Sequence, residues 1–259
     1  MGQAIRLHKT NPAWRKAPLF EPGAEPVEPA WVAVEQIVID FKLIGAQIGD
    51  VVLDFIEHIF DLGANEVFVV RVAGNVLGLE CLGSVDYAVS HLNDSLRTGV
   101  VLGHTGCGAV TAAVDMYLAP REFTNLSVRH PVRSLVDRIM LAVRAASRAL
   151  HEHYGDYDPP QDEYRKQLIS TSIYLNAAVT AFDVQREVRD IRGDDVQIAF
   201  GVYNVSRSRV SALPLEREDS DSPTFLPAPG SAEEFAALAS RVVERLVETE
   251  PSRQTVYLS

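Results

Sequence analysis

Apolar and polar positions along the chain divide it into alternating strand and helix signals. Val34–Ile44 carries a β-branched run suited to a strand over about residues 36–44. Asp50–Leu62 places Val51, Val52, Phe55, Ile56, Ile59 and Phe60 at helical spacing, with Gly63 available as a cap. Glu66–Val72 (EVFVVRV) is a continuous apolar strand signal broken only by Arg71, followed by the turn Ala73-Gly74-Asn75. Ser84–Leu92 reads as a helix with Ser84 as N-cap. Pro131–His153 has an amphipathic helical period, with Pro131 at an allowed first-turn position. Asp156–Gln161 is a loop, Glu163–Ile191 is helical, Val196–Val205 is the last expected strand, and Ala232–Glu248 closes as an amphipathic helix. No internal repeat is present. Strands separated by helices predict an α/β fold with a mostly parallel central β-sheet flanked by α-helices.

The most informative unit is Val100–Val114, VVLGHTGCGAVTAAV. Val100, Val101 and Leu102 suit a strand covered on both faces. Gly103, Gly106 and Gly108 allow a sharp turn, and Ala109–Val114 starts a packed helix. His104 and Cys107 lie in that turn, at the carboxyl end of the strand, where open α/β sheets place their ligands. Imidazole and thiolate form a soft pair suited to zinc, and a thiol at a helix N-terminus ionises more readily. A tight strand–helix connection with an incidental His and Cys is the plain alternative.

Composition narrows the function classes. A chain of 259 residues suits one large domain or two small ones, and 47% hydrophobic residues supply ample core. The net charge of −11 argues against nucleic acid and anionic membranes as partners. No apolar run is long enough to span a membrane. The amino-terminal MGQAIRLHKTNPAWRK has no apolar signal core, and Cys81 and Cys107 form no disulfide framework, so a cytoplasmic protein with reduced thiols is expected. Residues 1–31 form a Pro-rich, charged arm. Its Trp14, Leu19, Phe20 and Trp31 favour packing on a partner subunit over a solvated tail. Residues 32–215 are expected to form the α/β domain, and residues 216–259 a polar linker and a terminal helix.

The segments VVRVAGNVLG, LGSVDYAV and VVLGHTGCGAVTAAV, in that order, resemble the heart of a β-class carbonic anhydrase. The later YLNAAVTAFDVQREV and VQIAFGVYNVSRSRVSAL resemble that family's carboxyl-terminal helix and last strand, so the resemblance covers most of residues 59–213. It implies an α/β sheet, a homodimer or higher homo-oligomer, and CO2 and bicarbonate as the small-molecule substrate. It also implies zinc at the carboxyl ends of the strands, with His104 and Cys107 matching two ligands. In such a lyase, zinc lowers the pKa of a bound water toward neutrality and so enables hydration of CO2.

The family's third ligand is a cysteine in a first-strand Cys-x-Asp-x-Arg motif whose Asp and Arg control access to the metal. Here no cysteine precedes Cys81, and no arginine lies between Arg15 and Arg71. One alignment lays Val38, Asp40 and Lys42 over the motif. Another works back from Ile59–Gly63 (IFDLG) and puts it in Gly45–Asp50 or just beyond. Periodicity favours the second, since the strand should end before the helix near Asp50. Neither register contains a cysteine.

Asp40 and Asp50 are therefore candidates for the dyad aspartate, and Cys81 for a replacement ligand, although a buried cysteine is often only a small hydrophobe. Asp54 could also offer a carboxylate, whereas His58 reads as a surface residue. Gly103, Gly108 and Asn75 are the substrate-side candidates, with Asn75 equally able to serve only its turn. Two classes follow. One is a carbonic anhydrase-like enzyme with a degenerate metal site, weak or partial zinc and little activity. The other is a non-catalytic family member, a pseudoenzyme acting as structural partner or small-anion sensor within an oligomer.

Overall fold

The apolar run Val100–Leu102 lies within β3 (Thr98–His104), buried from Gly99 to its end. The computed structural model describes residues 36–40, 59–60, 67–92, 96–120, 130–214 and 222–249. β3 is flanked on both sides by parallel neighbours, β1 (Gln36–Asp40) and β4 (Gln197–Asn204), which explains its unbroken apolar character. β2 (Val67–Arg71) pairs in parallel with the other side of β1. The order is β2-β1-β3-β4-β5, with β5 (Arg209–Ser211) and β6 (Leu226–Pro227) antiparallel to β4. The expected α/β architecture is thus observed.

Two local expectations are corrected. Val196–Val205 is not the last strand. After β4, the Asn204 carboxamide oxygen accepts bonds from Ser206 Oγ at 2.8 Å and the Arg207 N–H at 3.1 Å, and the chain turns back into β5. Strands of two or three residues are too short to show an alternating pattern. Ser84 is likewise not an N-cap. Helix α1 (Leu79–His91) starts five residues earlier, with Gly78 in the cap position. Ser84 instead donates its hydroxyl to the Glu80 carbonyl at 3.0 Å, the interior alternative open to any serine. Residues 41–58 lie outside the described residues, apart from which Ile59 and Phe60 are helical as expected.

The remaining helices are α2 (Gly108–Leu118), α3 (His130–Tyr154), α4 (Gln161–Arg192) and α5 (Ala232–Thr249). α4 runs along β3 and β4, and α3, α1 and α5 pack against it. Ala177, Ala178 and Ala181 are fully buried, and their small size lets α4 lie close to the sheet. Val101, Val110, Ile139, Leu168 and Leu175 belong to the main core that results. A smaller cluster comprises Val100, Leu102, Val210 and Phe60, with Phe60 stacked on Phe225 at 5.9 Å between centroids. A hydroxyl hub joins three helices: Ser147 of α3 takes the Tyr117 hydroxyl of α2 at 3.0 Å and meets the Tyr164 hydroxyl of α4 at 2.9 Å. Arg165 and Asp115 form a bidentate pair across α4 and α2 at 2.7 and 2.9 Å.

Candidate functional site

His104 is the last residue of β3, and Cys107 is the residue from which α2 begins. Gly106, at φ +73°, makes the reversal between them in a region that other residues rarely adopt. The corner is tied to β4 by two bonds: the Thr105 N–H donates to the Tyr203 carbonyl at 3.0 Å, and Thr105 Oγ1 accepts the Val205 N–H at 3.1 Å. Thr111 Oγ1 donates to the Cys107 carbonyl at 2.9 Å and anchors the first turn of α2.

His104 and Cys107, each 4% exposed, line one small pocket together with Gly103 and Val110. Its other walls come from Gly74 and Asn75, in the 3-10 turn (Ala73–Asn75) after β2, and from Ile173 and Asn176 of α4. Gly74 and Asn75 are both left-handed, at φ +64° and +55°. A side chain at Gly74 would meet Ile139 Cδ1 at 2.8 Å and Ala109 Cβ at 3.0 Å, so only glycine fits between α2 and α3 there.

Burial sets the protonation of both donors. His104 Nδ1–H donates to the Thr105 carbonyl at 3.0 Å, because a carbonyl can only accept. That bond fixes the tautomer and leaves Nε2 as the ring atom with a lone pair to offer. Burial lowers the His104 pKa below its ordinary value, and the Thr105 bond only partly opposes this. Burial pushes the Cys107 thiol up, while the backbone N–H groups of Val110 and Ala109 at the start of α2 pull it back. The pair is a neutral imidazole beside a thiol, each ready to become a ligand if a cation displaces the thiol proton.

The structure brings His104, Cys107, Gly103 and Asn75 together at this pocket, whereas Gly108 starts α2 with its backbone exposed and does not line it. Cys81 sits in the first turn of α1, half-buried against the main core, and is not a lining residue. Asp40 ends β1 with its Cα paired to that of Arg71. Asp50, Asp54 and His58 lie outside the described residues. A catalytic zinc needs three protein donors and one open position. Among the described residues no three His, Cys, Asp or Glu side chains are grouped to hold a metal ion. Among the described residues, His104 and Cys107 are the two such donors that line this pocket.

Reading the sequence did not single out Asn176 and Thr180. Asn176 Nδ2 donates to the Gly74 carbonyl at 2.6 Å, and Thr180 Oγ1 to the Asn75 carbonyl at 2.8 Å. Their only sequence signal was their place in the YLNAAVTAFDVQREV segment. Val110 and Ile173 carry no signal beyond that of ordinary core, and Thr105 acts through both its carbonyl, on the His104 ring, and its hydroxyl, on the Val205 N–H.

Comparison with known proteins places this corner in context. The carbonic anhydrase family profile matches residues 55–210, which is more than half of the chain. A 58-residue segment is 55% identical to carbonic anhydrase 2 of Mycobacterium tuberculosis H37Rv, covering 22% of this chain and 27% of that protein. A 96-residue segment is 40% identical to a carbonic anhydrase of Mycolicibacterium smegmatis, covering 36% of this chain and 42% of the other. The chain thus matches less than half the length of these relatives. Among solved structures, the Coccomyxa β-carbonic anhydrase in complex with acetazolamide aligns at 19% identity with a TM-score of 0.48, covering 85% of each chain. The β-carbonic anhydrase CafA of Aspergillus fumigatus aligns at 19% identity and a TM-score of 0.45, covering 79% of this chain and 81% of that one. By the family profile, the chain belongs to the carbonic anhydrase family, in its β class.

Proposed function

We propose that this chain is a β-class carbonic anhydrase homologue directed at CO2 and bicarbonate, with a degenerate metal site and weak or absent hydration activity. The observation that carries this reading is the donor count: His104 and Cys107 line the pocket, and among the described residues no third donor joins them. The sequence supports it, because no cysteine precedes Cys81 and the family match begins only at residue 55. Two donors hold zinc much more weakly than three or four, so zinc here is partial and readily removed. What this chain's own residues do is supply the pocket. The Thr105 carbonyl orients the His104 ring, and Val110 and Ile173 keep one side apolar.

The test is elemental analysis of the purified full chain together with stopped-flow CO2 hydration. Substoichiometric zinc, stripped by a mild chelator, with hydration far below that of a competent relative is expected. Stoichiometric, tightly held zinc with fast hydration would refute it. In that case Cys81→Ala and single Asp→Ala variants at Asp40, Asp50 and Asp54 identify the replacement ligand.

A second reading rests on the same donor count: a non-catalytic family member that senses a small anion or serves as a structural partner. Stabilisation of the metal-free protein by bicarbonate, but not by chloride, would favour the sensor. Either protein is proposed to work in the cytoplasm as a homodimer or larger assembly, with residues 1–31 packed on another subunit. Deleting those residues should then reduce the oligomer seen by light scattering; an unchanged mass would show the arm to be dispensable.

A further inference from the structure

We propose that Asn176 and Thr180 are positioning residues of the His104–Cys107 pocket, clamping the Gly74–Asn75 turn through its two carbonyl groups. The turn needs a clamp. Asn75 is a non-glycine residue in the left-handed region, a conformation that asparagine tolerates but does not prefer. Asn75 is also only 3% exposed, so its backbone cannot rely on bulk water for hydrogen bonds.

α4 supplies the donors. Asn176 and Thr180 are four residues apart and share one helix face, and they meet successive carbonyls at 2.6 and 2.8 Å. Both are buried, and the alanines between and beside them seat α4 on the sheet. The clamp therefore refers the turn to the same rigid sheet that carries His104. At Gly103, the residue before His104, an added Cβ would lie 3.5 Å from Asn75 Nδ2. The clamp thus holds Asn75 against the strand end, and the turn it belongs to walls the pocket that contains Cys107.

Removing a clamp donor leaves a buried carbonyl unpaired, and the turn is relieved by swinging toward water. The pocket then opens more often, and Cys107 becomes reachable. This inference concerns the shape of the pocket and stands whether or not hydration is catalysed, so its test uses neither metal nor activity.

The test is the rate of iodoacetamide alkylation at Cys107, resolved from Cys81 by peptide mass spectrometry, in the full chain well below its melting temperature. Long-range 1H–15N spectra of the His104 ring are recorded alongside. Thr180→Val keeps the shape and removes the hydroxyl; Thr180→Ser keeps the hydroxyl and removes the methyl. Thr180→Val and Asn176→Ala should each speed Cys107 alkylation about tenfold, the factor for roughly 1.4 kcal/mol in the opening equilibrium. They should also shift the His104 ring signals, while Thr180→Ser stays near the parent rate. Unchanged Cys107 alkylation and His104 signals in folded Thr180→Val or Asn176→Ala would overturn the proposal. So would a Thr180→Ser variant as perturbed as Thr180→Val, because side-chain packing rather than the hydroxyl would then be at work.

Discussion

Replacing Gly74 with alanine is the sharpest test of how the pocket wall is built. The residue sits at φ +64°, and its added methyl would lie 2.8 Å from Ile139 Cδ1 and 3.0 Å from Ala109 Cβ. The left-handed conformation costs a non-glycine residue roughly 1–2 kcal/mol. Forcing a methyl into a packed core costs about 1–3 kcal/mol more, and Ile139 is fully buried with little room to yield. The stiffer unfolded chain returns about 0.4–1 kcal/mol. The net expectation is a loss of roughly 2–4 kcal/mol, equivalent to a melting temperature lowered by about 5–15 °C.

Urea titration followed by circular dichroism measures the loss, with two neighbouring glycines as internal controls. Gly106→Ala meets the same backbone penalty at φ +73° but has nothing within 4 Å of the new methyl, so it should lose only about 1–2 kcal/mol. Gly103→Ala has no left-handed strain, and its nearest neighbours lie at 3.5 Å, an ordinary contact distance. Its loss should stay below about 1 kcal/mol. A Gly74→Ala protein no less stable than Gly106→Ala would refute the reasoning, since the turn would then not be wedged between α2 and α3.

Two further outcomes are expected. Ser147→Ala removes the hub between the Tyr117 and Tyr164 hydroxyls and should cost about 1–3 kcal/mol by urea titration. Adding Tyr117→Phe and Tyr164→Phe to it should cost less than the separate losses combined, and strict additivity would show that the three hydroxyls do not form one network. For His104, burial lowers the folded pKa below the ordinary 6.5, so on acidification the unfolded chain takes up the proton first. The stability tied to neutral His104 is full above that value and falls as pH drops below it. The urea midpoint should therefore decline from pH 7 to pH 5 more steeply in the parent than in His104→Gln, and equal slopes would contradict a buried neutral imidazole.

Much of the fold and one half of the site are legible in the chain itself. Val100–Leu102 announces a strand buried on both faces, because an unbroken β-branched and apolar run has no other good place in an α/β domain. The glycines of Gly103–Gly108 announce the corner that follows it, and His104 and Cys107 carry their chemistry in their identity and spacing. That the first strand carries no cysteine is equally a matter of sequence. Short or ambiguous local signals did not carry as far. β5 and β6 are too brief to show a period, and the hydroxyl of Ser84 could cap a helix or bond back within it.

Only the tertiary structure decided which residues surround the two donors. Asn176 and Thr180 are about a hundred positions away from the turn they hold, and nothing local in a helical asparagine or threonine names a distant carbonyl as its partner. The protonation of His104 and Cys107 is likewise a property of assembly. Its largest cause is desolvation, which arises only when β3, α2, α4 and the 73–75 turn close around the same small volume and exclude water. Identity and periodicity are written residue by residue along the chain. Burial and long-range hydrogen bonding are properties of pairs, and they come into being only when the sheet brings those pairs together.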